Sequence, residues 1–279
     1  MKILKSYFWL TRPHNCAIGF LSVFIGGLIT GTVHPLFKLL MACFSGMCIA
    51  AGANAVNDYF DIEIDRINKP KRPLPSGMLR PGQAYRFSIL CFLLGILLSL
   101  FIHLPGFLIA SGSSVLLYLY SSHLKRTVVW GNLTVALITG LAFVYGGLAV
   151  GRIRQALVAG VFAFLFDWAR EMIKDAEDVV GDRSQGIQTL PIRHGIKVTL
   201  VLSAAVLALL IVLTFVPFFT GMFSLAYLIA VVAAVDLVLV YVITSMFRNP
   251  DSKNLGRLAV VMKWDMLGGL LAMFIGSFS

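Results

Sequence analysis

The sequence predicts an all-α polytopic membrane protein with about nine transmembrane helices packed in one bundle. Of the 279 residues, 58% are hydrophobic, and the mean hydropathy of +0.88 is far above that of a soluble domain. The apolar residues form long runs, and ~20 residues of helix cross a hydrocarbon core of ~30 Å. Backbone polar groups must be hydrogen-bonded inside lipid, so we expect each run to be a helix.

Each predicted span is separated from the next by a break in the apolar pattern. The first span opens at the segment Thr11-Arg12-Pro13-His14-Asn15. Four short connections, each with proline or glycine, separate the first from the second span, the third from the fourth, the fifth from the sixth and the seventh from the eighth. The nine predicted spans are 15–33, 36–56, 86–102, 106–122, 132–150, 156–173, 198–216, 222–245 and 259–278.

The cations are distributed unequally between the two sets of connections. All 23 Lys and Arg residues except Lys38, Arg152 and Arg154 lie in or beside one set, which consists of 1–14, 57–85, 123–131, 170–197 and 246–263. Cytoplasmic loops carry such an excess of Lys and Arg. The net charge of +10 therefore reflects membrane orientation rather than nucleic-acid binding. We expect a single domain, residues 1–279, in the cell membrane with a cytoplasmic N-terminus and no cleaved signal peptide.

Ten of the thirteen acidic residues fall in two short clusters, both on the predicted cytoplasmic side. The first is Asn57-Asp58-x-x-Asp61-x-x-x-Asp65, and the second runs from Asp167 to Asp182. So apolar a chain has little reason to concentrate carboxylates unless a positive species lies between them. Divalent cations holding a polyphosphate fit this requirement.

The spacing within each cluster suits a metal site. Asn57, Asp61 and Asp65 are four residues apart and share one stripe of a helix. The second cluster repeats this spacing at Asp178 and Asp182, with Asp175 three residues earlier. Oxygen ligands of this kind suit Mg²⁺, which completes its coordination with water and substrate phosphates. If the two helices faced each other, the mutual repulsion of the carboxylates would be relieved by a metal–diphosphate cluster.

The other acids of the clusters have a simpler interpretation. We expect Asp58, Glu63 and Glu177 to lie on a solvated face or to pair with Arg66, Lys69 or Lys174. Residues 68–77 contain three prolines and a glycine, so the helix of the first motif should end near Asn68. This loop is either a lid or an ordinary connection.

Cations next to the motifs are candidates for binding a leaving diphosphate, which gains charge as a C–O bond breaks. They are Lys125, Lys174, Arg72 and Arg66, and each has the alternative role of a membrane anchor. Arg12 and Asn15 are one turn apart and are candidates for the head group of a second substrate, or for an interfacial anchor and a helix cap.

Together, the two motifs resemble the paired signatures of the UbiA superfamily of intramembrane prenyltransferases. The similarity includes the intervening segment 120–126, Tyr-Ser-Ser-His-Leu-Lys-Arg, and covers nearly the whole chain. It implies a bundle around a central cavity, with two Mg²⁺ ions held by the motifs and an isoprenyl diphosphate bound to them. The implied ligands are Asn57, Asp61, Asp65, Asp175, Asp178 and Asp182, with Lys174 on the diphosphate; Asp61, Asp65, Asp178, Asp182 and Lys174 are the implied catalytic residues.

Within the superfamily, residues 57–77 and 170–195 look most like the geranylgeranylglyceryl-phosphate geranylgeranyltransferase branch. Many members of the superfamily carry a tyrosine four residues before the motif lysine, where this chain has Arg170. Arg170 and Arg12 would suit a phosphate-bearing acceptor. An aromatic acceptor, as in quinone biosynthesis, is the alternative.

The implied reaction is an ionisation of the allylic C1–O bond, shielded from water, followed by attack of an acceptor hydroxyl to form an ether. The aromatic faces of Phe60, Tyr118 and Tyr120 are candidates for stabilising positive charge at C1. Two other classes stay open, a cation-coupled transporter and a non-catalytic isoprenoid-binding protein. The residues alone do not specify prenyl chain length, general base or oligomeric state, and no protein partner is implied.

Overall fold

A computed structural model describes residues 2–184 and 186–277, with no side-chain detail at Lys2 and Ser184. All regular structure in these residues is helical. The helices are α1 (Lys2–Leu10), α2 (Pro13–Leu28), α3 (Leu36–Phe60), α4 (Ile62–Asn68), α5 (Pro81–Ser99), α6 (Leu104–Ser122), α7 (Trp130–Ala149), α8 (Ile153–Glu177), α9 (Val179–Ser184), α10 (Leu190–His194), α11 (Ile196–Thr214), α12 (Val216–Phe219), α13 (Leu225–Val231), α14 (Leu237–Arg248) and α15 (Ser252–Ser277).

Every predicted span corresponds to a helix, and the all-α class is confirmed. Among the described residues, seven helical segments are long and apolar enough to cross a membrane. The count of nine is not confirmed, because α2 has only 16 residues and α8 carries seven charged side chains within 25 residues. In the eighth span, a π-helical turn at Val232–Asp236 joins α13 to α14.

The chain folds as two compact units, and each contains one acidic motif. The first consists of Met1–Gly27, Thr32–Leu124 and Ala142–Ile153, and the second of Leu28–Gly31, Lys125–Leu141 and Arg154–Ser279.

Glycines allow close helix packing in the first unit. A Cβ on Gly146 of α7 would lie 1.9 Å from the carbonyl oxygen of Val23 in α2, and one on Gly26 would lie 2.2 Å from the carbonyl oxygen of Phe143. Real Cβ contacts are never this short, so both positions require glycine. The backbones of α2 and α7 therefore approach each other directly, as small residues permit in membrane helices.

A small hydrophobic cluster supports the first motif from the loop side. It contains Leu10 of α1, Ala55 of α3, Leu74 and Leu79 of the 69–80 loop, and Ala84 of α5. Leu74 and Leu79 are 4% and 3% exposed, so the proline-rich loop is anchored at two points. Helix α4 ends at Asn68, which confirms the predicted helix end.

The second unit buries two acids away from its motif. Asp236, at the end of the π-helical turn, accepts hydrogen bonds from Thr214 Oγ1 at 3.2 and 3.1 Å. Asp265 is also buried, and its Oδ2 has no hydrogen-bond partner within the described residues.

Candidate functional site

The first motif lies at a bend between two helices. Helix α3 ends at Phe60, Asp61 has φ −96° and ψ 7°, and α4 begins at Ile62. The backbone hydrogen bonds continue across the bend, from Asp61 N to Asn57 O at 3.0 Å and from Asp65 N to Asp61 O at 2.7 Å. The side-chain amide of Asn57 donates to Asp61 Oδ2 at 3.0 Å. The three predicted ligands therefore lie on consecutive turns, with the middle one at the bend.

Asp58 does not lie on a solvated face, and the expectation that it is solvated or pairs with Arg66 or Lys69 is wrong. It is 2% exposed and accepts hydrogen bonds from Arg12 Nη2 and from Arg72 Nη1, the latter at 3.1 Å. A buried carboxylate needs such partners, because desolvation of an unpaired charge is costly. Helix α3 places the side chain of Asp58 inside the first unit, and this packing buries the carboxylate although charged residues follow it in the sequence.

Arg72 links this buried acid to the motif. Its Nη1 also donates to Asp65 Oδ2 at 2.5 Å, and Asp65 is 4% exposed. The loop holds Arg72 through its backbone, since Arg72 N donates to Lys69 O at 3.0 Å and Ser76 Oγ donates to Arg72 O at 2.7 Å. One guanidinium therefore contacts two carboxylates that stand seven residues apart.

The other acidic position of α4 behaves as expected. Arg66 Nη1 donates to both oxygens of Glu63 at 2.9 Å, and both side chains are more than half exposed. An exposed i, i+3 pair of this kind contributes only about 0.3–0.5 kcal/mol. In this geometry Arg66, predicted to bind diphosphate, is engaged at the surface with Glu63.

Arg12 occupies a strained position between α1 and α2. Its φ of +50° is in the left-handed region, where a non-glycine residue costs about 1–3 kcal/mol and persists only when its surroundings hold it. Asn15, one turn on, donates from Nδ2 to Asn54 Oδ1 at 3.3 Å, and Asn54 Nδ2 donates to Thr11 O at 2.8 Å. The structure thus brings the predicted head-group residues next to α3.

Arg12, Asp58 and Arg72 line a cleft of about 510 Å³. Its remaining lining residues are Trp9, His14, Asn68, Lys69, Pro70, Lys71 and Pro73. The lining contains four guanidinium or ammonium groups and one carboxylate, so the cleft is strongly cationic. The sequence singled out Arg12 and Arg72 as candidates but gave no sign that both would bind the buried Asp58.

An aromatic cluster lies beside the first motif. The ring of Phe60 is 5.8 Å from that of Tyr118 and 5.2 Å from that of Tyr59, and Tyr59 is 5.1 Å from Tyr85. The hydroxyl groups of Tyr85 and Tyr118 are 3.4 Å apart. Two of the three predicted aromatic candidates, Phe60 and Tyr118, are therefore in contact.

The second motif also lies at a helix break. Helix α8 ends at Glu177, Asp178 stands between helices, and α9 begins at Val179. Asp178 N donates to Lys174 O at 3.0 Å, and Asp182 N donates to Asp178 O at 2.9 Å. Asp178 is exposed, and Asp182 is half-buried. Each unit thus presents its motif in the same way, with the middle aspartate between a long and a short helix.

Asp175 has a partner that sequence reasoning missed. Asn132 of α7 donates from Nδ2 to Asp175 Oδ2 at 2.7 Å. This hydrogen bond leaves Oδ1 of the carboxylate for another ligand and orients the group, which is the role of outer-sphere partners in metal sites. No sequence signal marked Asn132, because it is 43 residues from Asp175.

Glu171, also missed, gathers the cations of α8. It accepts hydrogen bonds from Lys174 Nζ at 2.8 and 2.9 Å and from Arg170 Nη1 at 3.1 Å. Arg170 Nη1 also lies 3.7 Å from Asp167, and its Nε donates to Ala259 O at 3.2 Å. Lys174 was predicted as a possible partner of Glu177, but it pairs with Glu171. The backbone oxygen of Glu177 accepts a hydrogen bond from Ser252 Oγ.

Burial raises the pKa of Asp182 above its ordinary value, and the nearby charge of Asp178 raises it further. A positive ligand next to this carboxyl group would stabilise its charged form. Lys125, the remaining predicted diphosphate cation, is half-buried in the 3₁₀ turn Leu124–Arg126.

The atoms of both motifs that could ligate a metal are side-chain oxygens, which are the ligands that Mg²⁺ prefers. The part of the chain that the structure describes contains no group of three or more His, Cys, Asp or Glu gathered closely enough to hold a metal. In the first motif, Asp65 is paired with Arg72. The oxygen atoms of the motif side chains fit the ion by their chemistry. To ligate it, Asp65 would have to give up its hydrogen bond with Arg72.

The model of the UbiA prenyltransferase family matches residues 19–267. A curated protein of Sulfurisphaera tokodaii named digeranylgeranylglyceryl phosphate synthase is 39% identical, over 98% of each chain. A solved structure from work on digeranylgeranylglyceryl phosphate synthase in membranes is 34% identical, with a TM-score of 0.91 and 99% of each chain covered. A UbiA homologue from Archaeoglobus fulgidus bound to DMAPP and Mg²⁺ is 18% identical, with a TM-score of 0.73 over 96% of this chain and 99% of that one.

Proposed function

Because this chain belongs to the UbiA prenyltransferase family, we propose that it transfers a geranylgeranyl group from its diphosphate to the free hydroxyl of geranylgeranylglyceryl phosphate. The product is the diether digeranylgeranylglyceryl phosphate. The observation that carries this choice of acceptor is the near full-length similarity to synthases named for that product. The chain is an integral membrane enzyme, and we place its N-terminus and both motifs on the cytoplasmic side, where the cations are concentrated.

The motif residues are proposed as ligands for two Mg²⁺ ions, one per motif. Asn57, Asp61 and Asp65 serve the first ion, and Asp175, Asp178 and Asp182 serve the second. When bound, Mg²⁺ supplies Lewis-acid stabilisation of the negative charge that develops on the diphosphate. Asn132 holds Asp175 in orientation through its 2.7 Å hydrogen bond.

The cations of the chain contribute to the same step. Lys174, Lys125 and Arg72 are proposed to stabilise the leaving diphosphate through charge-assisted hydrogen bonds. Glu171 holds the ammonium group of Lys174 at 2.8 Å, so the position of this cation is set before substrate binds. Arg66 has a lesser role in this scheme, since it is exposed and pairs with Glu63.

Bond formation then needs a shielded C1 and a nearby nucleophile. The packed rings of Phe60 and Tyr118, 5.8 Å apart, offer faces that stabilise positive charge at C1. The acceptor hydroxyl attacks C1, the C1–O bond to diphosphate breaks, and the hydroxyl proton leaves to solvent or to a motif carboxylate. The apolar surroundings limit competing attack by water.

A product assay tests the proposal. Purified protein in nanodiscs receives Mg²⁺, geranylgeranyl diphosphate and geranylgeranylglyceryl phosphate, and mass spectrometry measures the diether phosphate. Asp61→Asn and Asp178→Asn should each reduce turnover by about 10²–10³-fold. The matched control is Asp251→Asn, an exposed residue whose Oδ1 accepts a hydrogen bond from Asn254 N at 2.7 Å and whose capping role asparagine retains.

Two results would contradict the proposal. Prenylation of hydroxylated aromatic acids in place of the ether lipid would keep the family and overturn the acceptor. Tight binding of the diphosphate without turnover on any acceptor would favour a non-catalytic isoprenoid-binding protein.

A further inference from the structure

We propose that the cationic cleft around Asp58 is the binding site for the phosphomonoester of the acceptor, with Arg12 as its specificity-determining residue. This inference rests on the proposed function, because it assumes an acceptor that carries a phosphate. It assigns that phosphate to a place separate from the donor diphosphate.

The charge of the cleft fits a dianion. Arg12, Lys69, Lys71 and Arg72 line it together with His14, and Asp58 is the one acid in its lining. Lys69 and Lys71 are exposed, so they attract an anion without a large desolvation cost. A phosphomonoester, unlike a phenol or a neutral alcohol, has the charge and the acceptor atoms to use four such cations.

The two arginines are organised before a ligand arrives. Asp58 is 2% exposed and accepts from both guanidinium groups, whose side chains are 23% and 21% exposed. Each planar guanidinium has five N–H donors, so binding Asp58 leaves donors for phosphate. The left-handed backbone at Arg12, with φ +50°, is the kind of strain that functional sites retain. Prearranged cations of this type lower the entropy cost of binding.

The position of the cleft distinguishes it from the donor site. Its lining includes Asp58 but none of the predicted metal ligands Asn57, Asp61 and Asp65. Asp58 follows Asn57 directly within α3 and so lies about 100° around the helix from the stripe of ligands. A metal-bound diphosphate belongs to that stripe, so the anion in the cleft is a second one. Arg72 contacts Asp58 in the cleft and also Asp65 in the stripe of predicted ligands.

Helix α1 supplies the apolar surroundings of a lipid head group. Its side chains Ile3, Leu4, Phe8 and Trp9 are 62%, 79%, 58% and 57% exposed, and Trp9 also lines the cleft. Exposed apolar residues on a short helix near a membrane surface favour contact with the lipid interface. A lipid with its phosphate in the cleft therefore has lipid-compatible surface next to it.

The test compares two acceptors that differ only in the phosphate, geranylgeranylglyceryl phosphate and geranylgeranylglycerol. Wild-type protein should prefer the phosphate. Arg12→Gln should raise the KM for the phosphorylated acceptor by about 10- to 100-fold, the loss expected for a charge-assisted hydrogen bond. The KM for geranylgeranyl diphosphate should stay unchanged. Arg86→Gln, an exposed position on α5 outside the cleft, is the matched control.

A second variant separates binding from folding. If Arg12 only neutralises Asp58, then Arg12→Gln/Asp58→Asn should restore the preference for the phosphorylated acceptor, which would overturn the proposal. If Arg12 binds phosphate, the double variant should be as thermally stable as wild type and still lack the preference. If the wild-type protein turned over neither acceptor, that result would instead contradict the proposed function.

A binding measurement identifies the source of the phosphate. Wild-type protein in phosphatidylcholine nanodiscs, without Mg²⁺ or donor, should bind geranylgeranylglyceryl phosphate, and Arg12→Gln should not. Phosphatidic acid in the nanodisc should not displace the acceptor. Displacement by phosphatidic acid at equal concentration would mean a general site for phosphomonoester lipids and would overturn the assignment to the acceptor.

Discussion

Arg72 donates a hydrogen bond to Asp65 at 2.5 Å, so a loop cation of the chain neutralises the last carboxylate of the first motif. The same nitrogen lies 3.1 Å from the buried Asp58. This pairing offsets the repulsion between two nearly buried carboxylates. If Asp65 ligates Mg²⁺, as proposed above, it does so in competition with Arg72.

Replacing Arg72 by glutamine should therefore affect both stability and catalysis. Removing one partner of a buried pair leaves an uncompensated charge and costs about 3 kcal/mol, so the Tm in detergent should fall. Turnover should also fall, because the leaving diphosphate loses a cation. Arg72→Lys should recover part of the stability and little of the turnover, since an ammonium group lacks the planar fork of five donors that lets a guanidinium bind the carboxylates and a diphosphate together. An unchanged Tm in Arg72→Gln would contradict this prediction.

Asn132→Leu should raise the Mg²⁺ concentration needed for half-maximal activity. Outer-sphere partners of metal ligands contribute about 10- to 100-fold to metal affinity, and Asn132 holds Asp175 at 2.7 Å. The measurement is a Mg²⁺ titration at saturating substrates. Asn254→Ala is a suitable control, because Asn254 donates to Asn249 O at 2.7 Å outside the motif. An equal shift in both variants would mean a general loss of stability.

Lys174→Met should raise the KM for the prenyl diphosphate by about tenfold or more, through loss of a charge-assisted interaction. The acceptor KM should change little. Lys197→Met, at an exposed position of α11, controls for the loss of one positive charge. A donor KM equal in the two variants would remove Lys174 from the diphosphate site and leave it as a structural partner of Glu171.

Gly146→Ala should destabilise the protein without a specific effect on either substrate. Its Cβ would lie 1.9 Å from Val23 O, so α2 and α7 must separate, at a cost of about 1–3 kcal/mol or more. Gly112→Ala is the control, because a Cβ on Gly112 of α6 meets no atom within 4 Å. Thermal unfolding of the two variants, measured side by side, checks the prediction.

The motif residues were predictable because their spacing repeats the helical period. Asn57, Asp61 and Asp65 stand four residues apart in a chain with few other acids, so pattern and composition both single them out. The same reasoning failed for Asp58, whose position one residue from the stripe suggested solvent. Burial in the first unit and the approach of Arg12 and Arg72, which are 46 and 14 residues away along the chain, decide its state.

Helix existence, approximate span limits and the end of the motif helix at Asn68 follow from local properties, namely apolar run length and proline content. The amphipathic helix α1 was not anticipated, because its nine residues have no long apolar run. The bends at Asp61 and Asp178 were not anticipated either, because no proline or glycine stands at these positions.

Composition, charge asymmetry and spacing were therefore sufficient to identify a helical membrane protein with two carboxylate motifs. Each of these features depends only on residues that are close together in the sequence. The partners of those carboxylates were decided by tertiary structure. Asn132 reaches Asp175 across 43 residues, and Arg12 reaches Asp58 across 46. Such contacts depend on how helices pack, and helix packing depends on many side chains at once rather than on any local pattern.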